Sequence, residues 1–177
     1  MPLTQAVVLD AALTLLDEVG LDELSTRRLA TSLGVRVGAL YWHYPSKQAL
    51  LDAMADRIIA EAATMPLPDA DWDDKLRALA GAHRDAMLAH PDGARIIATM
   101  STPGPNGRSF FERTVAVLRE TGLSTDEANV GADAITSYVN GFTIEEQARK
   151  IDRIARSDRD HAFAAGLAIV LNGLRPR

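Results

Sequence analysis

The stretch from Ser25 to Lys47 concentrates side chains suited to holding phosphate. It carries Arg27, Arg28, Arg36 and Lys47 together with Tyr41, Trp42, His43 and Tyr44, and it has no Asp or Glu. Residues 1–24 are the reverse, with five acids and no base. Phosphate contact needs local positive charge with hydroxyls and aromatic groups beside it, so on a chain of net charge −5 the distribution matters more than the total. Gly34 divides the stretch into two short amphipathic patterns, apolar at Leu29, Ala30 and Leu33, then at Val37, Leu40 and Tyr44. A glycine between two such helices makes the turn of a helix-turn-helix, because it takes positive φ without steric cost. That unit lays its second helix, here about Val37 to His43, in the major groove of double-stranded DNA. On the residues alone, an ordinary helical hairpin with solvated bases fits the same pattern.

Other chemistries find little support. Zero cysteines exclude disulfides, thiolate metal sites and thiol catalysis, and they fit a reducing compartment. The histidines His43, His83, His90 and His161 form no H-x-x-x-H or His–carboxylate set, so no metal is expected. Glu145 and Glu146 are neighbours, and adjacent helical residues point in different directions. Gly104 and Gly107 lie in a proline-rich loop without the lysine of a phosphate-binding loop. No nucleophile–base pair stands out, so neither a catalytic site nor a cofactor is expected. No run of 18 apolar residues occurs and the N-terminus lacks a basic signal region, so the expectation is a cytoplasmic protein with no membrane partner.

The elements that must position the basic stretch are all helical. A first helix is expected over Thr4–Val19, stopped at Gly20, and a second over Thr26–Leu33, capped by Ser25. The third ends by Tyr44, ahead of Pro45. A fourth runs unbroken over Lys47–Ala63, and a fifth from Asp71 or Trp72 to Ala89. A short helix follows the His90–Gly93 turn. The longest loop, Ser101–Gly107, precedes helices at Arg108–Thr121, 125–148 and Asp158–Leu174, with charged residues 149–157 between the last two. The fold class is all-α: a three-helix head, residues 1–45, and a larger helical body, residues 46–177.

Helices 125–148 and 158–174 are too apolar for one-sided burial. Ala162 and Gly166, with Gly131, Ala134 and Gly141, offer surfaces where another helix can approach closely. They point to a homodimer closed by a four-helix bundle; a monomer core is the alternative. A two-fold dimer would address two half-sites about 34–36 Å apart. In the body, His83, Thr114 and Asn140 sit among Met87, Ile96, Ile97, Met100, Phe110 and Phe111, a set that fits a packed core or a small-molecule pocket.

At Leu24–Leu51 the sequence resembles the TetR family of transcription regulators. The carrying residues are L-S-T-R-R-L-A-T-S-L-G-V, then G-A-L-Y-W-H-Y, then K-Q-A-L-L-D-A. Trp72, H-P-D-G-A at His90–Ala94, G-F-T-I-E-E-Q at Gly141–Gln147 and A-F-A-A-G-L at Ala162–Leu167 extend the likeness, to the tetracycline-repressor branch in particular. The resemblance implies a homodimeric, ligand-responsive repressor on a palindromic operator; a helical protein-interaction module without DNA binding is the alternative. By position it implies DNA contacts from Thr26, Arg27, Tyr41, Trp42, His43 and Lys47, with Arg27 reading guanine and Tyr41, His43 and Lys47 holding phosphates. Arg36, Val37, Gly38 and Ala39 would set sequence choice, and residues 46–63 would transmit the ligand signal. It also implies a pocket for an unknown effector, lined by His83, Met87, Ile97, Thr114 and Asn140. Metal-bound tetracycline does not carry over: Ile97 stands where a magnesium-binding histidine is expected, Ser101 where an arginine is expected, and His83 replaces an aromatic drug contact. Glu145 alone matches a magnesium-associated position.

Overall fold

The computed structural model describes residues 2–148 and 155–175. The helices are α1 (Gln5–Val19), α2 (Thr26–Ser32), α3 (Val37–Tyr41), α4 (Lys47–Ile58), α5 (Ala60–Thr64), α6 (Trp72–Leu88), α7 (Gly93–Thr99), α8 (Pro105–Arg119), α9 (Thr125–Ala148) and α10 (Arg156–Gly173). No strand occurs among the described residues, which agrees with the all-α expectation.

Local chemistry sets the head. Thr4, Ser25 and Ser46 cap α1, α2 and α4 by accepting the N–H groups of Val7, Arg28 and Ala49. Gly34, at φ 65°, closes α2: its N–H reaches the Thr31 carbonyl at 3.1 Å and the Val35 N–H reaches Ala30 at 2.9 Å. This paired closure needs a left-handed residue, which glycine supplies. Val8, Ala12 and Leu16 of α1, Leu29 of α2 and Leu40 of α3 are buried together with Met54 of α4. Each such large side chain contributes about 1.5–3 kcal/mol.

Four element boundaries depart from expectation. α3 stops at Tyr41, because the Leu40 carbonyl accepts both His43 (3.0 Å) and Tyr44 (2.9 Å), and Pro45 has no N–H to continue the ladder. The single helix expected over Lys47–Ala63 breaks at Ile59 (φ −79°, ψ −7°) into α4 and α5. α4 packs on α1, α7 and α8, whereas α5 turns onto α6 and α8. Arg113 of α8 then takes the Ala63 and Met65 carbonyls at 2.6 and 2.5 Å. α8 begins at Pro105, inside the expected loop, since proline suits the first helical position. Its first turn is capped from α4: the Asp56 carboxylate accepts the Asn106 side-chain amide and the Gly107 N–H, both at 2.9 Å. Gly104 lies so close to Asp56 that a Cβ there would stand 2.3 Å from its Cγ. Finally, α10 starts at Arg156 rather than Asp158; of the charged segment 149–157, residues 149–154 lie outside the described residues.

The body is clamped by a buried arginine. Arg84 of α6 forms a fork with Glu146 of α9 (2.9 and 2.8 Å) and a third bond to Asp160 of α10 (2.7 Å). Its guanidinium lies 4.9 Å from the Phe163 ring centroid. Arg84→Ala removes the bidentate partner of the buried Glu146 carboxylate, which among the described residues keeps only Arg159 at 3.0 Å. We expect a loss of about 3 kcal/mol, seen as a lower urea midpoint with an unchanged slope.

Candidate functional site

Two regions gather the residues singled out above. The first is the outer face of α2, α3 and the turn after it. Arg27, Arg28, Arg36, Gly38, Tyr41, Trp42 and Lys47 are exposed there, and Thr26, Val37, Ala39 and His43 are half-buried. Trp42 is 90% exposed, an extreme for so large an apolar ring, and Tyr41 is 47% exposed. The cations differ in what holds them. Arg28 pairs with Glu23, and Lys47 Nζ donates to the Leu24 carbonyl at 2.9 Å. Arg27 and Arg36 have no ion pair among the described residues. The end of α3 is lashed to α1 by Gln5, whose side-chain amide donates to the His43 carbonyl (3.0 Å) and whose carbonyl accepts the Tyr44 hydroxyl (3.2 Å). Burial pushes the Tyr44 hydroxyl pKa up, against the pull of Arg57. Gln5 carried no sequence signal, because its partners lie 38 and 39 residues away.

The second region is a cavity of about 200 Å³ between α6, α7, α8 and α9. Its walls are Ile59, Ile97, Met100, Pro103, Phe110 and Phe111, with His83, Arg108, Thr136 and Asn140 as polar members. His83 Nε2 and Asn140 Oδ1 are 2.7 Å apart, and the imidazole stacks on Phe110 at 4.9 Å. His83 Nδ1 is buried without a hydrogen-bond partner among the described residues. Of the expected lining, His83, Ile97 and Asn140 meet here, but two residues do not. Met87 is wholly buried in the core, and Thr114 turns its hydroxyl back to the Phe110 carbonyl at 3.0 Å. Ile59, Pro103, Arg108 and Thr136 were missed. Thr136 was legible, since it sits four residues before Asn140 on one helix face. Arg108 was not, because its place depends on where α8 begins. Among the described residues no three His or carboxylate side chains come together as metal ligands.

A joint connects the regions. Asp92, at the start of α7, accepts the Leu21 N–H (2.7 Å) and pairs with Arg95 (3.0 Å), which also holds Asp22 (2.6 Å). His90 Nδ1 lies 2.7 Å from the Asp17 carboxylate. At the other end of α7, Gln48 of α4 donates to the Thr99 carbonyl (2.8 Å), and Asp52 accepts the Ser101 N–H and hydroxyl (2.9 and 2.7 Å). Burial would raise the Asp52 pKa, but these Ser101 bonds and Gln48 hold it below its usual value. Behind the turn, Gln147 of α9 bonds the Met87 and His90 carbonyls and the Ala94 N–H.

On the outer side of α9 and α10, Val130 is 68% and Ile169 74% exposed, with Ala134, Gly141, Ala162 and Ala165 also open. Two small residues expected on this surface serve the chain itself. Gly131 is buried against Leu118 and Leu174, and Gly166 seats Tyr138, whose hydroxyl donates to the Phe163 carbonyl at 2.8 Å.

Residues 8–54 match the family model described as bacterial regulatory proteins, tetR family. Residues 65–156 match that of the tetracyclin repressor-like C-terminal domain. The tetracycline repressor protein class A from transposon 1721 of Escherichia coli is 38% identical over 194 residues, covering 96% of this chain and 89% of that protein. Among solved structures, BioQ with its natural double-stranded DNA operator superposes with a TM-score of 0.88 at 34% identity, covering 99% of this chain and 100% of that one. A TetR variant from Acinetobacter baumannii AYE in complex with minocycline gives 0.87 at 38% identity, with coverage of 99% and 100%.

Burial holds the His83 imidazole below its ordinary pKa of 6.5, with the Asn140 bond opposing. The folded state therefore binds fewer protons than the unfolded state once the pH falls below 6.5, and stability is lost in that direction. We expect the urea midpoint to fall between about pH 7.5 and about pH 5.5, and to fall less in His83→Phe.

Proposed function

The chain belongs to the TetR family of bacterial regulatory proteins, and on that basis we propose that it is a ligand-responsive transcriptional repressor that holds a palindromic operator as a homodimer. In this reading residues 1–45 bind DNA, and residues 46–177 bind the effector and dimerise. The relatives at this similarity are repressors, and no catalytic role is proposed. No described helix is long and apolar enough to cross a membrane, and a DNA partner is consistent with a cytoplasmic location, which is part of this reading.

The observation that carries the reading is free charge on the same small head as an open aromatic: Arg27 and Arg36 form no ion pair among the described residues, and Trp42 stands 90% exposed. We assign guanine reading to Arg27, sequence choice to Arg36, Val37, Gly38 and Ala39, and backbone contact to Thr26, Tyr41, Trp42, His43 and Lys47. Arg28 and Lys47 have partners within the head, so they contribute less than Arg27. In the relatives named above, one structure holds DNA and another minocycline. Metal-bound tetracycline does not fit this chain, because Ile97 presents a hydrocarbon wall where a metal ligand would be needed.

Duplexes selected by the protein from a random pool provide the operator. Arg27→Ala is expected to weaken binding by about 1–3 kcal/mol and relax one base position, while Arg28→Ala costs less and lowers the salt slope by about one or less. These are read by fluorescence anisotropy at several salt concentrations. Binding indifferent to salt and to Arg27→Ala would leave the chain a helical interaction module. For the dimer, Ile169→Glu places a charge in the apolar face of α10. Sedimentation should show monomers, and operator affinity should fall with them; an unchanged dimer would move the interface elsewhere.

A further inference from the structure

We propose, resting on the ligand-responsive reading above, that the effector is a small aromatic carboxylate, its ring within the α6–α9 cavity and its charge on Arg108. Size argues first. The cavity of about 200 Å³ is below the ~300 Å³ at which pockets for drug-sized molecules begin, yet above the ~150 Å³ that accommodates a benzene ring. One or two fused rings with a short substituent fill it. Its walls favour flat, apolar matter: Phe111, Pro103 and Met100 face it, and Phe110 is stacked with the His83 imidazole at one side.

Charge argues next. Among the described residues, Arg108 is the one charged residue lining the cavity, and no carboxylate lines it. The guanidinium spends one nitrogen on the Pro103 carbonyl (2.6 Å) and forms no ion pair among the described residues, so most of its five N–H donors remain for a planar anion. Asp56, one turn away across the start of α8, is not a wall residue; Asn106 and Gly107 occupy it. A cationic ligand would face Arg108 with no counter-charge in the cavity wall; Arg108 is exposed, so beside a neutral ligand its remaining donors stay with solvent, whereas a carboxylate at the cavity mouth would take them.

Asn140 supplies orientation. With Oδ1 taken by His83 Nε2, its amide N–H groups have no hydrogen bond among the described residues, so they suit an oxygen on the ligand. Burial keeps His83 neutral, which makes it a positioning residue for Asn140 and not a second cation.

Isothermal titration on the full-length protein tests this with benzoate, 2-hydroxybenzoate and 2-naphthoate, their methyl esters and benzylammonium. At least one acid should bind once per protomer, tenfold or more tighter than its ester, with benzylammonium silent. Arg108→Gln should collapse the acid-to-ester ratio toward one, and Arg108→Lys should recover part of it. The acid should also release the selected duplex in proportion to its occupancy. An ester binding as well as its acid, a ratio unmoved by Arg108→Gln, or no acid binding at millimolar concentration overturns the assignment. If duplex binding stays salt-dependent in that case, the regulator reading survives and only the effector class is wrong. If the protein holds no duplex, the regulator reading fails, while the acid-to-ester ratio still judges the cavity.

Discussion

The two helices proposed to contact DNA, α2 with 7 residues and α3 with 5, are too short to be stable alone. Isolated helices below about 12–15 residues are marginal in water even for good helix formers, and α3 contains a glycine and a β-branched valine. The recognition surface therefore exists only while other elements hold it. Leu29 and Leu40 join the buried core, α2 packs on α1 and α3, Lys47 of α4 donates to the Leu24 carbonyl just before α2, and Gln5 fastens the far end through His43 and Tyr44. Whatever moves α1 or α4 moves the surface as a unit, because the unit has no independent rigidity to resist with.

That dependence gives the α7 joint its meaning. One seven-residue helix carries Ile97 into the cavity wall, Asp92 and Arg95 onto the α1–α2 connection, and the Thr99 carbonyl onto α4. Its other flank is fixed by Gln147. Were the cavity occupied as proposed, the effect could reach the α1–α2 connection of the head and α4 behind it through a short element, while the Arg84 ion pairs join α6, α9 and α10 on the other side. A moving part needs such a stationary frame, and a buried arginine with three charge-assisted bonds over an aromatic ring supplies one at the expense of desolvation.

Much of this was legible in the residues. Caps at Thr4, Ser25 and Ser46, the turn at Gly34 and the all-helical periodicity are local chemistry, and local chemistry survives folding. Several misses were decided by partners that the local pattern does not show. α8 starts early because Asp56 caps it, and Gly131 and Gly166 look like intersubunit contacts until Leu118, Leu174 and Tyr138 are seen to fill the space above them. In the site, the exposure of the expected DNA-facing residues follows from the helix pattern, but not the tying of Arg28 and Lys47 to Glu23 and Leu24. Thr114 failed as a wall residue for a local reason, its back-bond to Phe110, which hydroxyls in helices commonly make.

The size of the cavity limits how the switch can work. A ligand shifts an equilibrium only by the difference in its affinity for the two states, however tightly it binds either one. A molecule of roughly a dozen heavy atoms gains at most about −1.5 kcal/mol per atom, and usually far less, so little binding energy is available to spend uniformly. Apolar contact with Phe110, Phe111 and Ile97 changes gradually as walls move by fractions of an ångström. A fork-shaped charged contact does not, since its strength falls steeply with misalignment. Arg108 sits on the first turn of α8, the turn capped from α4 by Asp56. A ligand charge gripping Arg108 would therefore favour one placement of that turn relative to α4, and the difference between states would be concentrated in the one contact able to distinguish them.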